Sequence, residues 1–230
     1  MDDIKFEEFL SFINLGRYRD KYRPIKLVEM DLPKEIQAIE LLYQVYWNER
    51  KLLDFDDFYN KYLNTYKSEI EIFRKKITMC EDCFYRGLPA RIYRTWASII
   101  TQIHAGYVAE AVFGKDTVKM SVKLDHQGAD FQVTYKNTVL NYQVKKNSFS
   151  REVRKRKEVK NIIKGIFLDI LYEVPSGEYF SNPKKLDGSF KTPYLRFINN
   201  RNLKRLPNGF VVFTRQTFKT IKEEFDNKLK

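Results

Sequence analysis

The spacing of hydrophobic positions changes near residue 114. Before it, apolar residues recur every three or four positions, as on one face of a helix. Phe6, Phe9, Leu10 and Ile13 form such a stripe and predict a helix over 3–16. Residues 21–36, KYRPIKLVEMDLPKEI, hold two prolines and read as an irregular connector. Helical spacing returns over 35–50, 54–83 and 89–113. Pro89 suits a first turn, and Gly114 suits a helix end.

After Gly114 the period drops to two. Val118, Met120, Val122 and Leu124 alternate with polar residues and predict a half-buried strand. A turn-like DHQGAD (125–130) follows, then alternation at Phe131, Val133 and Tyr135. Lys136-Asn137 reads as a two-residue turn, because Asn tolerates positive φ. Leu140, Tyr142 and Val144 then form the hairpin partner. A helix is expected over 150–173, basic at its start and apolar at its end. A loop over 175–192, strands at 193–198 and 209–214, and a helix at 216–228 complete the reading.

Hydrophobic residues make up 43% of the 230 positions and charged residues 31%, which supports a packed core rather than a disordered chain. Net charge is +12, and its distribution is uneven. Residues 1–114 carry 17 Lys and Arg against 18 Asp and Glu; residues 115–230 carry 25 against 12. The whole excess lies in the second half and calls for an anionic partner there. No run approaches the ~20 apolar residues of a membrane span, and the acidic start MDDIKFEEF does not read as a leader peptide. No membrane partner is expected.

The hairpin concentrates the chemistry. With a turn at Lys136-Asn137, opposed residues have numbers summing to 273. Phe131 then faces Tyr142, and Val133 faces Leu140, on one apolar face. The same register sets Asp130 opposite Gln143 on the other face, with Lys145 two residues farther along. A carboxylate, an amide and an ammonium group on one polar spot suit phosphodiester hydrolysis. Mg²⁺ takes oxygen ligands, which Asp130 and Gln143 offer. Lys145 would orient or deprotonate the attacking water. Glu110, near the end of the preceding helix, and Asp125, at the turn, are candidates for a second carboxylate.

This pattern, D…QxK on a hairpin after a helix bearing a Glu, resembles the PD-(D/E)XK nuclease core. Gln143 stands where an acid is usual. The segments KYRPIKLVEMDLPKEI and LLYQVYW (41–47), with Asp125 and Asp130 five apart ahead of Gln143-Val144-Lys145, look like the TaqI-type restriction endonucleases. The resemblance implies an α/β fold: a mixed central sheet flanked by helices (89–230) beside a helical N-terminal region (1–88). It also implies Mg²⁺-dependent cleavage of double-stranded DNA at the palindrome TCGA. Asp125, Asp130 and Lys145 match the family's functional positions. Glu110 is carried from the wider superfamily. A cytoplasmic, prokaryotic-type location, a homodimer and a cognate DNA methyltransferase sharing the site go with the same reading.

The basic run REVRKRKEVK begins six residues past Lys145, so phosphate and groove contacts are expected from Lys146, Ser148, Ser150, Arg151, Arg154 and Lys155. Three other readings stay open: another nuclease on the same core, a catalytically inactive DNA-binding module, and an RNA-binding protein. Cys80-x-x-Cys83 is half of a zinc pattern with no second pair, so both cysteines are expected as packing residues. His104, Trp47 and Trp96 are expected in the core, and His126 in an exposed turn.

Overall fold

The computed structural model describes residues 2–25, 32–146 and 163–228. The N-terminal part is helical. Helix α1 (Asp3–Phe12) and α2 (Leu15–Tyr22) replace the single helix expected over 3–16. The break follows from Asn14, whose side-chain oxygen accepts the Arg17 N–H at 3.0 Å and caps a new helix. A short turn (Lys34–Ile36) leads to α3 (Ile39–Leu42), which continues as a π-helical turn over Tyr43–Asn48. Helices α4 (Phe55–Thr65) and α5 (Lys67–Lys76) follow.

Helix α6 (Glu81–Phe113) is the axis of the fold, and α1, α3, the sheet and the C-terminal helix all pack on it. It starts eight residues before Pro89, not at it. Cys80 is the N-cap, its Sγ accepting the Cys83 N–H at 3.1 Å, and Glu81 and Asp82 occupy the first turn. Acidic residues there favour the positive end of the helix dipole. The two cysteines, expected as packing residues, are joined to each other at this exposed cap. Proline in a helix interior removes one hydrogen bond and costs about 3 kcal/mol. The long buried face of α6, including Leu88, Ile92, Trp96, Ile100 and Ile103, offsets that cost. The helix runs through the 88/89 boundary anticipated between two regions, and one hydrophobic core spans both sides of it. Gly114 ends the helix as expected.

Beyond α6, strands β1 (Val118–Lys119), β2 (Phe131–Tyr135), β3 (Thr138–Lys146) and β4 (Ile166–Tyr172) form one mixed sheet in that order. The first three are antiparallel neighbours, while β4 lies parallel to β3. The fold is thus mixed α/β, as expected. Lys136 and Asn137 both have positive φ, 45° and 61°, as a type I′ turn requires. The pairs Phe131↔Tyr142 and Val133↔Leu140 follow. Phe131 and Tyr142 stack at 5.0 Å, and Phe218 packs edge-on against both.

Three expected elements differ. The strand anticipated over 118–124 stops at Lys119, because Ser121 caps the short helix α7 (Val122–His126) with its hydroxyl on the Leu124 N–H. Residues 166–172, expected as a helix end, are strand β4. A continuous apolar run carries no period to separate the two states. Its entry needs Gly165, at φ +125°, where a Cβ would lie 2.5 Å from the Val139 carbonyl oxygen. Residues 193–198, expected as a strand, belong to helix α9 (Thr192–Ile198), which follows the short helix α8 (Gly177–Ser181). Pro193 sits in its first turn, and Tyr194 and Phe197, three apart, both pack on Phe180. A small hairpin, β5 (Leu203–Arg205) and β6 (Val211–Phe213), and helix α10 (Gln216–Lys228) close the chain. Among the described residues, no helix is long and apolar enough to cross a membrane.

Candidate active site

The site forms at the end of the sheet where β2 begins. The β2–β3 ladder stops at Phe131↔Tyr142, so Asp130 does not pair with Gln143 across it. Its backbone N–H donates to the Tyr142 carbonyl at 2.8 Å. Its carboxylate Oδ2 then accepts the Val144 N–H at 2.6 Å, taking the ladder position that the β2 backbone has given up. The other oxygen, Oδ1, accepts from Nε2 of Gln102 on α6 at 3.1 Å. Asp130 is 6% exposed.

That burial pushes the Asp130 carboxyl up to about 7; the Asp125 charge adds to the rise, while the Val144 N–H and the Lys145 ammonium oppose it. Asp125, on α7, is also raised, chiefly by burial. The two carboxyls and Lys145 therefore lie within electrostatic reach of one another. Tyr43, from the π-helical turn, faces the same spot: burial first, then the charges of Asp125 and Asp130, hold its hydroxyl in the protonated form. That hydroxyl is buried and faces the Asp125 carboxyl, opposing the rise that burial gives that carboxyl. Tyr172 on β4 also senses the Asp130 charge, behind the larger effect of its own burial. Turns of the π type recur at functional positions.

Lys145 reaches outward on β3 and meets Asp169 of β4, Nζ to Oδ2 at 2.9 Å. The parallel register sets Asp169 beside Gln143. Gln143 is half-buried on the polar face, and no described residue hydrogen-bonds its side chain. Behind it on that face, fully buried Asn141 accepts from Gln132 at 2.8 Å and donates to the Lys164 carbonyl at 3.2 Å. These bonds fix the polar side of β3 against the start of β4.

Asp125 and Lys145 thus lie within electrostatic reach of Asp130, while Lys145 itself pairs with Asp169. The structure does not bring Glu110 to them. The Glu110 carboxylate pairs with Arg50 at 3.2 Å and accepts the Asp116 N–H at 3.3 Å. Arg50 is itself clamped over the rings of Trp47 and Tyr107, at 4.1 and 4.7 Å. Glu110 lies eight residues beyond Gln102, about 12 Å along the helix axis. Lys146 ends β3 and is exposed. Ser148, Ser150, Arg151, Arg154 and Lys155 lie outside the described residues.

Sequence reasoning missed Gln102, Tyr43 and Asp169. They come from a helix, a π-helical turn and a strand that was expected to be helical. Tyr43 lies within LLYQVYW, but nothing in that segment marks it as facing the site, and Gln102 and Asp169 stand in no local motif.

The donors present suit a hard cation. Asp125 and Asp130 offer two carboxyls, and the oxygen of the Gln102 amide that donates to Asp130 is buried without a partner among the described residues. No group of three or more His, Cys, Asp or Glu forms a closed metal cage among the described residues. Mg²⁺ is compatible with such a set, since it binds through one or two carboxylates and keeps several waters.

A sequence model of the TaqI restriction endonuclease family matches residues 4–225. The type II restriction enzyme TthHB8I of Thermus thermophilus is 33% identical over 216 residues, covering 90% of this chain and 82% of its own. The type II restriction enzyme TaqI of Thermus aquaticus is 31% identical over 226 residues, covering 94% and 85% respectively. No solved structure matches the chain.

Proposed function

The chain belongs to the TaqI restriction endonuclease family, and on that premise we propose that it hydrolyses both strands of duplex DNA at the palindrome TCGA with Mg²⁺. What supports this reading is Asp130, buried at the start of β2 with its carboxylate held by the Val144 N–H and Gln102, and within electrostatic reach of Asp125 and Lys145. The order of elements supports a PD-(D/E)XK core: helix α6, three antiparallel strands with the carboxylate at the start of β2 and Gln-x-Lys on β3, then a parallel β4.

Asp130 and Asp125 would hold the cation, with Gln143 as a neutral oxygen donor on the adjoining strand. The bound ion supplies neutralisation of phosphate charge and makes a water more acidic near neutral pH. Lys145 would leave Asp169 for a non-bridging oxygen of the scissile phosphate, where its charge stabilises the transition state and orients the incoming water. Water attacks phosphorus in line, the 3′ oxygen leaves, and the products are a 5′-phosphate and a 3′-hydroxyl. Asp130 must be ionised to hold the cation, so the group that burial keeps protonated is the one that metal binding deprotonates.

Lys146, Ser148, Ser150, Arg151, Arg154 and Lys155 are the proposed DNA contacts, following directly on β3. A two-fold palindrome is most simply read by a symmetric dimer. A cognate methyltransferase would protect the same sequence without binding this chain. The test is incubation of the purified chain with plasmid DNA and MgCl₂, followed by sequencing of the ends. Breaks confined to TCGA, and absent with Asp130→Ala, are expected. Intact plasmid or random nicking overturns the proposal.

A further inference from the structure

The donor on Asp130 comes from a residue that no motif contains. Gln102 extends from α6, and its Nε2 is 3.1 Å from Oδ1 of Asp130. The Val144 N–H occupies the other oxygen at 2.6 Å. The carboxylate is thus fixed from two sides, by the backbone of β3 and by one helical side chain. The Gln102 Oε1 atom is buried and has no hydrogen-bond partner among the described residues. A buried amide oxygen left unsatisfied costs about 1–3 kcal/mol, a cost that a bound water at this point would offset. The same amide that carries this oxygen is fixed to Asp130 through its nitrogen.

We propose that Gln102 is a positioning residue of the catalytic centre, its amide nitrogen orienting Asp130 and its amide oxygen receiving a hydration water of the divalent cation. This rests on the reading of Asp130 as a ligand of Mg²⁺. It moves the contribution of α6 from Glu110 to Gln102. Glu110 is committed to Arg50, whereas Gln102 makes contact with Asp130 and keeps a spare acceptor. Glutamine suits both tasks, because its amide carries a donor and an acceptor on one rigid plane. Glutamate would keep the acceptor and lose the donor.

Two measurements test it, each as a function of MgCl₂. The first is single-turnover cleavage by the wild type and Gln102→Leu. Loss of an outer partner of a ligand typically weakens metal binding about 10–100-fold. Half-maximal cleavage by Gln102→Leu should therefore need roughly tenfold more Mg²⁺ or beyond, with much of the rate recovered at saturation. Metal-free DNA binding in EDTA should be unchanged. A rate lowered by one constant factor at every Mg²⁺ concentration, or wild-type Mg²⁺ dependence, overturns the proposal.

The second is thermal unfolding of the DNA-free chain. Gln102→Glu sets a third carboxylate in the cluster, so its midpoint should lie below wild type without Mg²⁺ and rise more steeply as Mg²⁺ is added. Gln102→Leu should show the smallest rise of the three. Equal responses in all three proteins overturn the proposal. Should the wild type cut no DNA, the nuclease reading fails, while the unfolding series still decides whether Gln102 belongs to a cation site. Should Gln102→Leu fail to fold, the contrast between Gln102→Glu and wild type carries the test.

Discussion

Helix α6 sets two polar side chains, two residues apart and nearly opposite on the helix, in contrasting surroundings. His104 lies in the helical shell, 1% exposed, with the Phe6 ring 6.2 Å away and neither ring nitrogen hydrogen-bonded. Gln102 turns to the sheet end and holds Asp130. Burial drives both titratable groups toward their neutral forms: His104 is pushed down to about 4, and Asp130 up to about 7. The perturbations are alike in cause. Around Asp130, however, a second carboxyl, an ammonium group and an orphaned amide oxygen converge. Around His104 stand the Phe6 ring and the charges of Asp3 and Lys204, which act on it in opposite directions. Burial therefore marks both groups, and only convergence of complementary groups makes one of them a site.

The comparison breaks first if the sheet end is dispensable. Asp130→Asn should lower single-turnover cleavage on the order of 10³-fold or more, and Lys145→Ala on the order of 10²–10³-fold, with metal-free DNA binding retained in both. Asp130→Asn carries a second signature. In the folded chain the carboxyl binds its proton more tightly than at its ordinary value of 3.8. Between 3.8 and about 7 the folded state thus holds more protons than the unfolded one, and stability falls as pH rises through that window. The variant escapes this loss. Its melting midpoint should exceed that of the wild type at pH 8 and approach it near pH 4. A deficit at pH 8 would remove the buried-carboxylate account. Wild-type cleavage should rise with pH toward 7 at low Mg²⁺, and its midpoint should move to lower pH as Mg²⁺ increases, because the cation binds the ionised form.

Glu110 sharpens the contrast at smaller scale. It is held by Arg50 at 3.2 Å, away from Asp130. Glu110→Gln should lower stability by about 1–2 kcal/mol, less than for a fully buried pair because Arg50 is partly solvated. Cleavage at saturating Mg²⁺ should stay within about twofold of wild type. Loss comparable to Asp130→Asn would return Glu110 to the reaction centre.

The hairpin was legible because a two-residue turn of positive-φ residues sets register, and register sets faces. Alternation around Phe131, Val133, Leu140 and Tyr142 then located the polar side with Gln143 and Lys145. What surrounds Asp130 was not legible. Gln102 and Glu110 stand on one continuous helix, and nothing local tells which turn meets the start of β2. That depends on where α6 packs on the sheet. Asp169 was hidden for another reason. The run IFLDILY has no period, and a strand beside β3 exists only through pairing with distant residues. Local caps overrode alternation at Ser121 for the same reason that Asn14 split the first helix: a side-chain oxygen placed three residues before a free N–H starts a new helix.

The mildest change tests the other face of α6. His104 sits neutral in the shell, and both ring nitrogens lack partners. An unsatisfied buried polar group costs on the order of 1–3 kcal/mol, while an apolar replacement of similar shape leaves only a small packing mismatch. His104→Leu should therefore raise stability at pH 7.5 by about 1 kcal/mol. The pH dependence follows from linkage. The folded imidazole takes up its proton near 4, the unfolded one near 6.5. Between these values the unfolded chain binds more protons, so stability present above 6.5 is lost as pH falls toward 4. Leucine has no proton to gain, and the advantage of the variant should widen at pH 5. Urea unfolding at both pH values measures this. Cleavage of TCGA-containing DNA at pH 7.5 should be unchanged within about twofold. A variant less stable than wild type at pH 5 would mean that the imidazole has a partner in solution. A collapse of cleavage would mean that the two faces of α6 are coupled, and that the helical shell takes part in the chemistry at the sheet end.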